Sequence, residues 1–316
     1  MDLLNIKPNE VTRGVSNKHF LFYGEPSTRK TSVAALFPDA LILATEIGYK
    51  QIPGVKALDI DSWATFLQAI NELKKKEVKQ TYKTIVIDTV GILCDLCVQY
   101  VCNINGVKAL DEIGYGKGWT AYKTNFNRAI NTIAQNGYSI VFIAHSEQKV
   151  DNDGNIVSIE PKIDRRPREA IIALTDYIFF LKKEIVGDRE TVIAYSQLPA
   201  GVITKTRTRG LAPSFEFTFD NINKELDKAL NKYSEVYDGA EVQEAVLNTE
   251  KVEPSFEEIK NKAVEVAMKY TQDAIYAEPA TKLITTMMNG VRISEAPESY
   301  KEILKDLTQA LISLDA

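Results

Sequence analysis

The segment GEPSTRKTS, Gly24 to Ser32, constrains the fold of this chain more than any other. A short apolar run, HFLFY (His19 to Tyr23), precedes it, and KTSVAALF follows as a helix start that Pro38 stops. A buried strand that breaks at a glycine and re-emerges as a helix aims the free N–H groups and dipole of the helix N-terminus at one point, and that point attracts an anion. Gly24, Lys30 and Thr31 stand at the spacing G-x-x-x-x-G-K-[ST] of a phosphate-binding loop. Arg29 occupies the second glycine slot, and Ser27 a position where such loops often carry a further glycine. Glycine lets the N–H groups turn inward at backbone angles an L-residue dislikes. Arg29 must therefore bear strain or reshape the turn. The candidate nucleotide-binding residues are Gly24, Glu25, Pro26, Ser27, Thr28, Arg29, Lys30, Thr31 and Ser32. Arginine suits planar oxygen partners, so Arg29 is expected to contact a nucleotide phosphate or a carboxylate at a subunit interface.

The rest of the first two-thirds alternates strands with helices. ALILAT (Ala40 to Thr45), VKALDI (Val55 to Ile60) and KTIVIDTV (Lys83 to Val90) read as strands, the last buried on both faces as in a parallel sheet. Ser62 is placed to cap the helix between the second and third of these. GYGKGWT (Gly114 to Thr120) is a glycine-rich loop before a long helix that Gly137 ends, and YSIVFIAHS follows as a strand. DYIFFLKK, ETVIAYSQ and FEFTF close the series. The alternation predicts an α/β fold with a mostly parallel central sheet and an antiparallel edge. The domain reading is a core over 1–220, a linker or loosely held helix over 221–254 and a small C-terminal helical unit over 255–316.

Composition sets outer limits. The 316 residues are 45% apolar and 26% charged, ordinary for a globular chain with ample core. No apolar stretch approaches the roughly 20 residues of a membrane span. MDLLNIKPNE lacks a basic region followed by an apolar run, so a cytoplasmic chain without a signal peptide is expected. Cys94, Cys97 and Cys102 form C-x2-C-x4-C, but in an apolar helical run with no fourth ligand nearby, and they are expected to be reduced core thiols rather than metal ligands. Residues 1–216 carry 27 Lys and Arg against 24 Asp and Glu; the remainder carries 11 against 19, for a net charge of −5. The bland reading of the acidic remainder is a solvated surface.

Three strand ends complete the phosphate loop. Asp88 ends the apolar strand TIVID, one parallel strand away from the loop, where its carboxylate can hold Mg²⁺ together with the Thr31 hydroxyl while Lys30 reaches the β- and γ-phosphates. Glu46 follows the strand after the loop helix and can orient and deprotonate an attacking water. His145 ends the strand after Asp88, where it can sense the γ-phosphate. Lys30, Glu46 and His145 are the catalytic candidates, and Thr31 and Asp88 the metal candidates.

The order of these pieces, with IVFIAHSEQKV and the basic TKTRTRGLAPSFEF behind them, resembles the RecA superfamily core, and within it the bacteriophage-encoded ATPases of single-strand annealing and recombination. The resemblance covers about Phe20 to Phe219; the departures are Ser27, Arg29 and a histidine at the sensor position. It implies an ATP- and Mg-dependent, DNA-stimulated ATPase that forms a ring or filament on single-stranded DNA. Single-stranded DNA, copies of itself and a single-strand-binding protein are the implied partners, with no membrane. It implies DNA contact by the segment after the sensor strand, where Lys162, Arg165, Arg166 and Arg168 lie. A finger reaching the neighbouring subunit's nucleotide would come from Lys205, Arg207 and Arg209. Two other readings remain open: a nucleotide-sensing accessory protein with little or no hydrolysis, and an NTPase acting on a protein partner in the manner of a helicase loader.

Overall fold

The computed structural model describes residues 11–198, 201–236, 242–243, 255–273 and 276–314. The chain forms two compact units, 1–249 and 250–316. In the first, β1 (Val11–Thr12) leads to β2 (His19–Gly24), α1 (Lys30–Ala34), β3 (Ala40–Ala44), β4 (Lys56–Asp59), α2 (Trp63–Leu73), α3 (Lys76–Thr81), β5 (Thr84–Asp88), α4 (Val90–Ile104) and α5 (Lys117–Gln135). There follow β6 (Ser139–Val150), β7 (Ile156–Pro161), α6 (Arg165–Leu174), β8 (Tyr177–Val186), β9 (Arg189–Tyr195), β10 (Lys205–Thr206), β11 (Ser214–Glu216), α7 (Phe219–Val236) and β12 (Val242–Gln243), which pairs with β1. Ser62 caps α2 as expected, its hydroxyl accepting the Thr65 N–H at 3.1 Å.

The main sheet runs β11-β9-β8-β2-β6-β5-β3-β4. From β8 to β4 all neighbours are parallel, and β9, β10 and β11 add the antiparallel edge. This is the α/β core with a mostly parallel sheet that the alternation predicts. The central strands β2, β5 and the first half of β6 carry apolar residues at successive positions because the sheet is covered on both sides there. Leu21, Ile85, Ile87, Ile140 and Phe142 meet Trp63, Phe66 and Phe126 on one face. Phe20, Phe22, Ile42, Val86 and Phe179 meet Val33, Phe37 and Ile222 on the other. Cys94, Cys97 and Cys102 lie buried in the first of these layers, and burial pushes the Cys94 thiol up to about 12.

The polar segment after His145 forms a hairpin: β6 runs on to Val150 and turns back as β7, with Glu147 opposite Glu160. One expectation is corrected. The helix placed in a linker starting at 221 belongs to the first unit. Ile222, Leu226 and Ala229 of α7 are buried in the second core layer, because apolar residues at three- and four-residue spacing make a stripe that must be covered. Residues 237–241 and 244–254 of that proposed linker lie outside the described residues.

The second unit holds α8 (Phe256–Gln272), α9 (Ala277–Met288) and α10 (Lys301–Ile312) around Ala263, Tyr270, Leu304, Leu307 and Leu311. Ser255 and Glu258 exchange side-chain to backbone hydrogen bonds in a capping box that starts α8. No described helix is long and apolar enough to cross a membrane.

Candidate nucleotide site

Strand register brings the four strand-end candidates to one sheet edge. Gly24 pairs with His145 and with Leu181; Asp88 pairs with Ile143 and with Ala44, two residues before Glu46. One strand, β6, separates the phosphate-loop strand from that of Asp88. Parallel strands all end on the same side, and ligands of open α/β sheets bind outside those carboxyl ends.

The loop between β2 and α1 places two non-glycine residues in the left-handed region. Ser27 has φ 62° and Arg29 φ 57°. A Cβ on Gly24 would come within 2.3 Å of the Leu181 carbonyl oxygen, so the first glycine is required by the close pass of β8. Arg29 bears backbone strain. Its side chain is exposed and has no hydrogen bond or ion pair within the described residues. Left-handed backbone costs a non-glycine residue about 1 kcal/mol. Arg29→Gly should raise stability by about that amount, read as a higher urea midpoint at unchanged slope. It should also weaken Mg-ATP binding; wild-type affinity in that variant would leave Arg29 no role at the phosphates.

Lys30 is 6% exposed. Its Nζ donates to Gly24 O at 3.1 Å, Glu25 O at 2.8 Å and Thr28 Oγ1 at 3.0 Å. Burial pulls the ammonium down to about 8, against the opposing attraction of Asp88, Glu46 and Glu25. A polyphosphate beside it would raise that value again. Mg-ATP affinity should therefore fall as pH climbs through about 8, by up to about tenfold per unit, with proton uptake on binding in that range. Calorimetric titrations in two buffers of different ionisation enthalpy, on either side of that pH, would measure both effects.

The Thr31 hydroxyl donates to Asp88 Oδ2 at 2.6 Å. Asp88 is 6% exposed, and burial raises its carboxyl above the ordinary range. Among the described residues no group of three or more His, Cys, Asp or Glu could hold a metal. The donor set at Thr31 and Asp88 nevertheless fits Mg²⁺, which takes one or two protein oxygens and completes its octahedron with phosphate and water.

Glu46 Oε1 receives two side chains: the Thr89 hydroxyl donates to it at 3.2 Å, and His145 Nε2 lies 3.4 Å away. His145 Nδ1 is buried without a partner. The structure thus brings together Lys30, Thr31, Glu46, Asp88 and His145. Thr28, one of the candidate loop residues, holds Lys30; sequence reasoning missed Thr45 and Thr89, which bind one another at the same edge. The available signal was position: each hydroxyl stands beside a residue already singled out.

The basic groups fare differently. Arg168 is 14% exposed and is held by Glu160 at 2.5 Å and Glu147 at 3.5 Å, so its role within the chain is to brace the β6–β7 hairpin against α6. Arg165 is exposed beside Glu169, Arg166 lies 4.3 Å over the Trp119 ring, and Lys162 is exposed. Lys205 Nζ donates to the carbonyls of Ile172 and Ala173 at the end of α6, and Arg207 pairs with Asp176 at 2.8 Å and donates to Ala173 O. These two residues hold their own chain together. Arg209 is exposed. Lys205 pairs with Ile178 near the start of β8, three residues before Leu181, which pairs with Gly24 of the phosphate loop.

Residues 16–208 match the sequence family described as AAA domain. Over 327 aligned positions the chain is 25% identical to the SPbeta prophage-derived uncharacterized protein YorG of Bacillus subtilis, an alignment covering 99% of this chain and 98% of that protein.

Proposed function

The chain belongs to the AAA domain family, and on that premise we propose that it is a Mg-ATP-hydrolysing P-loop protein that assembles with copies of itself on single-stranded DNA in recombination or strand annealing. The observation that carries the nucleotide part is the Thr31–Asp88 hydrogen bond beside the buried Lys30, with Glu46 at the same sheet edge.

Lys30 and the N–H groups of the loop bind and orient the β- and γ-phosphates. Thr31 and Asp88 would hold Mg²⁺, which would supply positive charge against the phosphate oxygens. Glu46 takes a proton from a water whose oxygen attacks the γ-phosphorus; the bond to the β,γ-bridging oxygen breaks, and ADP and phosphate leave. His145 steadies Glu46 through Oε1 and lies on the strand that becomes the β6–β7 hairpin.

Two surface features support single-stranded DNA as the partner. Tyr115 is fully exposed, with φ 57°, in the glycine-rich loop before α5. The stacked Arg166 and Trp119 accompany exposed Lys117, Lys162 and Arg165. Exposed aromatics interleaved with cations stack bases and follow a phosphate backbone without sequence preference. Arg209 is exposed and would act on a neighbouring copy's nucleotide. The prophage relative is in keeping with a phage protein working in the cytoplasm of a bacterial host.

The second reading, a nucleotide-sensing accessory or loader of a protein partner, draws on the left-handed Ser27 and Arg29 and on the net charge of −5. ATP turnover with and without single-stranded DNA separates the two. The proposal expects turnover that DNA accelerates. Binding without turnover supports the sensor, and turnover indifferent to DNA supports the loader.

A further inference from the structure

The geometry points to Thr89 as the positioning residue that fixes Glu46 for proton abstraction, an inference that rests on the hydrolytic reading of the site. Glu46 stands beyond the end of β3, and its side chain is 38% exposed. A half-exposed glutamate has several rotamers, and only those that direct one oxygen to the γ-phosphate are productive. Something must select among them.

Thr89 is built to do so. It is 3% exposed, between the last residue of β5 and the first of α4. Thr45 N–H donates to Asp88 O at 2.7 Å, Thr89 N–H donates to Thr45 Oγ1 at 2.9 Å, and Thr45 Oγ1 donates to Thr89 O at 3.1 Å. These three bonds carry the β3–β5 pairing one residue past its end, so the Thr89 hydroxyl projects from a rigid post. It donates to Glu46 Oε1 at 3.2 Å. His145 Nε2 approaches the same oxygen. Oε2 has no protein partner among the described residues, which leaves it for water. With both protein contacts on one oxygen, the carboxylate is held by one end and works with the other.

Of the two holding groups, Thr89 is the firmer. His145 is 35% exposed, its contact is longer, and its buried Nδ1 lacks the second bond that would lock the ring. The competing view is that Thr89 is a buried hydroxyl that found an acceptor and contributes only to packing.

Thr89→Val keeps the shape and removes the hydroxyl; Thr89→Ser keeps the hydroxyl. The expected result for Thr89→Val is wild-type affinity for a fluorescent ATP analogue, an unchanged melting temperature and a kcat lower by about 10- to 100-fold. Thr89→Ser should recover most of that rate. Adding Thr89→Val to Glu46→Gln should cost little more, since the two residues act as a unit. Should Thr89→Val fail to fold, Thr89→Ala gives the same comparison. Wild-type kcat in Thr89→Val, or a loss that Thr89→Ser does not recover, overturns the inference while leaving the ATPase reading standing. A wild type that binds ATP and never turns it over removes the ATPase reading first, and this inference with it.

Discussion

Lys30→Ala should abolish measurable Mg-ATP binding and leave the fold intact. Lys30 begins α1 and is nearly closed off from solvent, with an ammonium satisfied only by two loop carbonyls and the Thr28 hydroxyl. Burial works against its charge, as the fall to about 8 records, so the folded chain keeps a cation in a place that disfavours it. Removing it therefore has two opposed effects on stability: the desolvation cost disappears, and three neutral acceptors lose a donor. The expected change in melting temperature is small. Binding has no such compensation. A charge-assisted contact to a polyphosphate in a partly desolvated site is worth about 2–5 kcal/mol, or about 30- to 5,000-fold in affinity. Titration with Mg-ATP, alongside a thermal melt of each protein, tests this. Unchanged affinity in a folded Lys30→Ala variant would dismantle the phosphate-loop assignment.

Glu46→Gln should retain ATP binding and lose hydrolysis by about 10²–10⁴-fold, the usual contribution of a positioned general base. The amide oxygen of glutamine can still accept the Thr89 hydroxyl in the place of Oε1, so the side chain keeps its anchor. What it loses is the ability to take a proton at the other end. The variant separates positioning from chemistry: a kcat loss with unchanged affinity assigns Glu46 to the chemical step. Equal loss of affinity and rate would place it in binding. Substantial residual turnover would move the base elsewhere, and His145 would be the next residue to replace.

Much of the nucleotide site was legible because it is written in local patterns. The apolar run His19 to Tyr23, the glycine, and Lys30–Thr31 before a helix form one continuous piece of chain. A strand buried on both faces has few places for a carboxylate other than its end, so Asp88 stands out against Thr84–Ile87 without any knowledge of its neighbours. The helical stripe of Ile222, Leu226 and Ala229 was legible too. The residues around it are polar, but a narrow stripe on a polar helix still needs a surface to cover it.

The basic residues were not legible in the same way. Glu160, the partner that holds Arg168, lies outside the basic run from Lys162 to Arg168, and Glu147 lies on the other arm of the hairpin. Lys205 and Arg207 look free in sequence; their acceptors, the carbonyls of Ile172 and Ala173 and the carboxylate of Asp176, come to them only because β10 lies along β8.

By itself, the sequence determined which residues are candidates to meet phosphate, metal and water, since a strand end, a tight turn and a helix start are fixed by neighbours a few positions apart. Only the tertiary structure decided which of the charges are already engaged and how Glu46 is held. Both depend on strand order: β6 inserted between β2 and β5 puts His145 beside Gly24, and β3 against β5 puts Thr45 and Thr89 within hydrogen-bond reach. Strand order is set by how the whole sheet buries its two faces, a condition that no short stretch of sequence carries.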